Sequence, residues 1–335
     1  MRTHIAVIIL SIIGLAATAD ADEKQTSSSA ITKPTEVLVM ESNFEKLKEL
    51  KPDVTDVAYG SHERNVMDLY RAPGSGPHPL LLYIHGGGFM NGDKERINRQ
   101  LFTFCLERGI SVISISYRLS QDAIYPASFH DGRLALQYIR HQATEFNIDP
   151  TRIAAAGSSA GAGISSWLAF RPDMADLQSE DPVLRESTRL SCIVTTEGQT
   201  TYDPRFISEV VGGNAHTHRA LAQLFGVSRD VWPELDDEAA ARVEDGAAIN
   251  FLSEDDPPVF GIYKRENRAP TDEDDPNFGI HHPRFGFDLK TKMDALGIEC
   301  IIHNDPQMED DPEARKAAHT LAADFLARLL KDGND

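Results

Sequence analysis

Apolar positions follow two rhythms along this chain, and the switches between them outline its elements. Leu80 to Ile84 is an unbroken apolar run, the pattern of a strand buried on both faces. Ile110 to Tyr117 alternates and is rich in β-branched residues, so it predicts another strand. Between them Lys94 to Arg108 has helical spacing, with Leu101, Phe104 and Cys105 on one face and Gly109 as a stop. Arg133 to Phe146 likewise places Leu134, Leu136, Tyr138 and Ile139 for a helix lying on a sheet. Val54 to Ala58 and Arg64 to Ala72 predict a first pair of strands turning at Gly60-Ser61-His62. Further on, strands are expected at Arg152 to Ala156, Leu190 to Thr196, Pro257 to Tyr263 and Glu299 to His303. Helices are expected at Ala162 to Phe170, Phe285 to Leu296 and Pro312 to Lys331, with a short one within Val37 to Lys51. Strand and helix alternate, which implies a mainly parallel sheet covered by helices on both faces. In such sheets ligands bind beyond the carboxyl ends of the strands.

Two stretches break the alternation. Gln199 to Phe251, between the sixth and seventh strands, holds an amphipathic helix at Arg219 to Phe225, then Trp232 and an acidic stretch. A connection of about 50 residues in a compact fold is usually functional, so positions 199 to 251 are expected to form a cap over the site. At the other end, Met1 to Ala21 has a basic Arg2, an apolar core from Ile5 to Ala16 and small residues at Ala17-Thr18-Ala19 and Ala19-Asp20-Ala21. That is the layout of a secretory signal, too short for a comfortable membrane span. The expected product is exported, secreted or periplasmic, with no membrane attachment after cleavage; an uncleaved N-terminal anchor is the alternative. Asp22 to Lys33 is polar and Ser-rich, so positions 22 to 53 are expected to be an extension and positions 54 to 335 one domain.

Composition adds limits. Of 335 residues, 41% are hydrophobic and 25% charged, as in an ordinary globular protein. The formal net charge of -19 argues against nucleic acid or an anionic membrane surface as a partner. Cys105, Cys192 and Cys300 are widely spaced, each within an apolar stretch. Buried free thiols are expected, although one disulfide is open to an exported chain.

The chemistry begins at Gly157-Ser158-Ser159-Ala160-Gly161. It stands between a predicted strand and a predicted helix, where G-x-S-x-G forms a sharp turn that lifts the serine hydroxyl clear of the sheet. Upstream, His85-Gly86-Gly87-Gly88 follows the Leu80 to Ile84 strand and has the form of a loop that donates main-chain N–H groups to an oxyanion. With Gly92-Asp93-Lys94, Ser116-Tyr117-Arg118-Leu119, Tyr125-Pro126, Asp131 and Asp149-Pro150-Thr151-Arg152-Ile153, the chain resembles the α/β-hydrolase family, in its hormone-sensitive-lipase-like and bacterial carboxylesterase branch. The resemblance runs from about Val54 to the C-terminus. It implies a serine hydrolase of carboxylic esters acting on a small-molecule ester, with Ser159 as nucleophile, the amides of Gly86, Gly87 and Ala160 as the oxyanion hole, and no cofactor or metal. His85 is then structural, bonding within its own loop.

The acid and the base depart from the family pattern. Relatives carry Asp some ten residues beyond the Pro257-Pro258 pair, where this chain has Asn267, with Glu266 as the nearest carboxylate. Glu266 is the first candidate acid, Glu197 the second, and Asp272, Asp274 and Asp275 follow. Relatives place the histidine after the last strand, where this chain reads Asn304-Asp305-Pro306-Gln307-Met308. His303 is therefore the first candidate base and the adjacent His281 and His282 the second. His216, His218 and His319 read as surface or helix residues. The competing expectation is an α/β-hydrolase that has lost its triad and serves as a binding or scaffolding protein.

Overall fold

The computed structural model describes residues 50–331. The expected signal at 1–21 and all but the last few residues of the 22–53 extension, with most of the Val37 to Lys51 stretch, lie outside the described residues.

An eight-stranded sheet in the order β1-β2-β4-β3-β5-β6-β7-β8 forms the centre. Its strands are β1 (Val54–Ala58), β2 (Val66–Tyr70), β3 (His78–Ile84), β4 (Ser111–Ile115), β5 (Ile148–Ser158), β6 (Ile193–Thr196), β7 (Val259–Tyr263) and β8 (Cys300–Asn304). β1 and β2 pair antiparallel, β2 joins β4 antiparallel, and every pairing from β4 through β8 is parallel. The unbroken run in β3 divides by residue parity between two cores. Leu80, Leu82 and Ile84 pack with Ile113, Ile115, Phe129 and Trp167, whereas Leu81 and Tyr83 pack with Phe102, Val112, Ala154 and Phe325. Successive side chains point to opposite faces, and helices cover both.

Those helices include α1 (Arg99–Glu107), α2 (Ala127–His141), α3 (Ala160–Phe170), α4 (Arg219–Leu224), α5 (Asp237–Gly246), α6 (Pro276–Ile280), α7 (Arg284–Ala295) and α8 (Pro312–Leu329). Two differ from expectation. α1 starts at Arg99 rather than Lys94, because the Asn98 side chain caps it by accepting from the Leu101 amide. Lys94 is spent on a buried pairing instead, 3.0 Å from both Asp56 and Asp68. α2 begins earlier than Arg133, immediately after Pro126. Cys105, Cys192 and Cys300 are free and buried. Among the described residues no helix is long and apolar enough to cross a membrane.

Candidate active site

β5 ends at Ser158 and α3 begins at Ala160, so Ser159 alone makes the turn. It does so with φ 49° and ψ −115°, a left-handed conformation that costs a side-chain-bearing residue of order 1–3 kcal/mol. Its amide is held by donation to the Thr196 carbonyl at 2.9 Å, at the end of β6. The flanking glycines are required by space. A Cβ on Gly161 would lie 2.0 Å from the Ile84 carbonyl oxygen, and one on Gly157 would lie 2.3 Å from the Gly161 carbonyl carbon. Both obstacles are main chain.

The glycine loop after β3 lies against this turn. A Cβ on Gly86 would meet the Ser158 carbonyl oxygen at 2.6 Å and the Ser159 Cβ at 3.6 Å, and Gly87 has φ 130°. His85 stays within the loop: its Nδ1 is 2.8 Å from the Gly86 carbonyl and its ring stacks on Tyr117 at 4.2 Å. Burial holds its pKa down at about 4. Gly86, Gly87, Gly88, Ser159 and His281 line one cleft of about 560 Å³.

The imidazole that meets Ser159 is that of His281, with Nε2 2.8 Å from Oγ. His281 follows α6, and its Nδ1 is 3.0 Å from the Asn277 main-chain carbonyl, one turn earlier. A carbonyl only accepts, so Nδ1 carries the proton, Nε2 presents its lone pair, and the serine hydroxyl donates to it. Burial lowers the His281 pKa to about 4, the Asn277 bond opposes this, and the charges of Arg265 and Lys264 add to the lowering. The ring is therefore neutral at pH 7. Among the described residues no carboxylate comes within 4 Å of it.

His303 and Glu266 are brought to neither Ser159 nor His281. His303 sits in the ladder of β8, in register with Ile262 of β7. β8 is three strand positions from β5, about 14 Å across a sheet at the usual spacing, and the His303 Nε2 is buried without a hydrogen-bond partner. Glu266 is 69% exposed and lies 3.8 Å from Arg268. The first candidate base thus lies three strand positions from the elbow, and the first candidate acid lies in solvent.

The remaining candidates fold the loop that carries His281. Asp275 caps α6 by accepting from the Asn277 amide. Asp274 pairs with Arg268 and accepts from the Thr271 amide, which holds its carboxyl well below the usual range. The Asp272 carbonyl accepts from the Asn214 side chain. His282 is fully buried; its Nε2 donates to the Arg268 carbonyl at 2.7 Å and its Nδ1 accepts from the Arg284 amide. Glu197 lines the cleft but lies 3.6 Å from Arg265 and 3.8 Å from Lys264, and burial raises its pKa against their attraction.

Two contributors have no motif to announce them. Gln199 is buried, and its Nε2 donates to the Glu197 carbonyl at 2.9 Å and the Ile280 carbonyl at 2.7 Å. It thereby ties the end of β6 to the residue before His281. His218, expected as a surface or helix residue, caps α4 by accepting from the Ala220 amide, is half-buried, and lines the cleft beside Arg219. Both belong to the 199–251 insert, whose Tyr202, Ala220 and Leu221 also wall a second, smaller cavity at Ser159.

Known proteins resemble this chain in sequence and in fold. The BD-FAE family model matches residues 67–267, more than half of the chain and most of the sheet with the elbow. The chain is similar to "Probable carboxylic ester hydrolase LipM" of Mycobacterium tuberculosis, 28% identical over 63% of this chain and 47% of that protein. It is also similar to "Carboxylic ester hydrolase LipN" of the same organism, 34% identical over 34% of this chain and 31% of that one. The chain thus spans about half or less of these relatives' lengths. A solved structure, "Truncated form of carbohydrate esterase from gut microbiota", superposes with a TM-score of 0.64 at 21% identity, covering 83% of this chain and 96% of that one. At that identity the likeness speaks for the α/β-hydrolase fold alone. With the strand order, the elbow between β5 and α3, and the matched span from β2 past β7, the chain belongs to the BD-FAE family of α/β-hydrolases.

Proposed function

We propose that this chain is a serine hydrolase of carboxylic esters that works through an acyl-enzyme. The observation that carries the reading is the 2.8 Å contact between Ser159 Oγ and a neutral His281. His281 Nε2 takes the hydroxyl proton as Oγ attacks the ester carbonyl. The resulting oxyanion is met by the amides of Gly86, Gly87 and Ala160, each donor of this kind being worth roughly 10² to 10³ in rate. Collapse expels the alcohol, which receives the proton from His281, and water then repeats the sequence to release the acid. The Asn277 carbonyl stands where a triad carboxylate would. It fixes the tautomer but brings no full negative charge to the imidazolium. The names of the relatives agree with this chemistry.

The insert at 199–251 acts as the cap, since its residues wall both cavities. Export follows from the apolar and small-residue pattern of positions 1–21. A chain acting only as a binder would have no use for an imidazole on a strained serine. The test uses Ser159→Ala, His281→Ala and His303→Ala with a p-nitrophenyl ester. The first two are expected to lose about 10⁴ or more in kcat while the third stays within a few-fold. Full activity in His281→Ala overturns the assignment of the base, and full activity in Ser159→Ala overturns the nucleophile.

A further inference from the structure

The cleft beside Ser159 carries a charge opposite to that of the chain around it. The formal net charge is -19, yet Arg96 and Arg219 both line the cleft. Neither has a carboxylate within 4.0 Å among the described residues. Arg96 Nη1 donates to the Asn91 side-chain oxygen at 3.0 Å, a neutral partner that leaves the charge in place. Among the described lining residues the one carboxylate, Glu197, is already met by Arg265 at 3.6 Å and Lys264 at 3.8 Å. His281 and His218 also line the cleft, and burial lowers both pKa values, so at pH 7 the two rings are neutral. The uncompensated charge of the cleft is therefore positive.

His218 adds a donor beside that charge. Its Nδ1 accepts from the Ala220 amide at 3.4 Å, which places the ring proton on Nε2. Nε2 has no hydrogen-bond partner among the described residues. The two histidines of the cleft thus carry opposite tautomers: His281 offers a lone pair to Ser159, whereas His218 offers a hydrogen. Guanidinium and an imidazole N–H of this kind supply donors and no acceptor. Such a wall repels cations and gains nothing from hydrocarbon. It fits the two oxygens of a carboxylate, which the planar fork of arginine meets in pairs.

The leaving oxygen takes its proton from His281, which lines the same cleft as both arginines. The alcohol half therefore departs past Arg96, Arg219 and His218. We propose that these three side chains form an anion site, and that the preferred substrates are esters whose alcohol half bears a carboxylate. This rests on the serine-hydrolase reading above. The acidic surface repels anions at long range, and the cleft reverses that sign within about one Debye length, roughly 8 Å.

The experiment compares kcat/KM for p-acetoxyphenylacetate and p-acetoxyphenylacetamide, two esters of the same size in which a methylene insulates the departing phenol from the charge. The full chain is measured beside Arg219→Gln, Arg96→Gln and Arg219→Glu. In the unmodified chain the acid is expected to be favoured over the amide about tenfold or more, through KM, as charge-assisted hydrogen bonds would give. Each glutamine variant is expected to cut that ratio about threefold or more, and Arg219→Glu to bring it to about one or below. Both arginines are exposed, so the replacements leave the core untouched. A ratio of about one or below in the unmodified chain overturns the anion site and leaves the hydrolase reading standing, because the amide is still turned over. So does a ratio that stays the same in all three variants. No turnover of either ester overturns the anion site, and failure of a fluorophosphonate to label Ser159 then overturns the hydrolase reading as well.

Discussion

His281 Nδ1 and the Asn277 carbonyl oxygen lie 3.0 Å apart across one turn of chain, and in the proposed mechanism this contact does the orienting that a carboxylate performs in a full triad. The carbonyl accepts from Nδ1–H and so selects the tautomer whose Nε2 faces Ser159. It contributes only a dipole, however, so the protonated ring is left without a counter-charge. With burial and the nearby Arg265 and Lys264, this keeps the His281 pKa at about 4.

The pH profile should show it. The active form is the neutral ring, present above its pKa and lost as pH falls through it. The acid limb of kcat/KM is therefore expected near pH 4 to 5, well below the 6.5 of an unperturbed histidine. A limb between pH 6 and 7 contradicts the geometry.

Gln199 tests positioning apart from chemistry. Gln199→Leu leaves the Glu197 and Ile280 carbonyls without their shared donor, at a cost of about 1–3 kcal/mol. It also loosens the residue before His281. kcat is expected to fall about tenfold to a hundredfold with KM little changed, as for a small misplacement of a catalytic group. Steady-state kinetics beside a urea melt separates the two effects.

Gly161 and Gly109 form a contrast. Alanine at 161 would put its methyl 2.0 Å from the Ile84 carbonyl oxygen, whereas at Gly109, with φ 74°, nothing lies within 4 Å. Gly161→Ala is expected to cost about 3 kcal/mol or more. Gly109→Ala should cost about 1–2 kcal/mol, from its left-handed backbone alone. Urea unfolding of the two variants measures the difference.

Acid should weaken the fold through its buried histidines. Burial lowers His85, His281 and His319 to about 4, so each takes up a proton on unfolding between that value and about 6.5. Their contribution is full above the unfolded pKa and is lost as pH falls through the window. Three protons give a slope of about 4 kcal/mol per pH unit. Urea midpoints measured from pH 7 to pH 4.5 should drop accordingly, and His319→Gln should flatten the slope by about a third.

The fold and half of the candidate site were legible because their signals are local. A strand, a glycine turn and a helix are adjacent in sequence, so the elbow at Ser159 and the loop at Gly86 and Gly87 are written in short stretches. The proposed base is not local. His281 and His282 are neighbours, and only the winding at the end of α6 sends one ring to Ser159 and the other to the Arg268 carbonyl. A triad acid is written in the sequence as a carboxylate side chain, whereas the group that meets His281 Nδ1 is a main-chain oxygen, which every residue has. Glu266 and His303 satisfy the spacing, but the fold brings neither beside Ser159 or His281. Gln199 and His218 lie in the insert, where no periodicity marks them.

The twisted backbone of Ser159 bears on which molecules last longest. With φ 49° the residue occupies a conformation that glycine reaches with far less penalty. Ser159→Gly should therefore melt at a higher temperature than the working protein while hydrolysing nothing. Selection for heat resistance alone would drift toward that inert form, and only a demand for turnover keeps the hydroxyl in place.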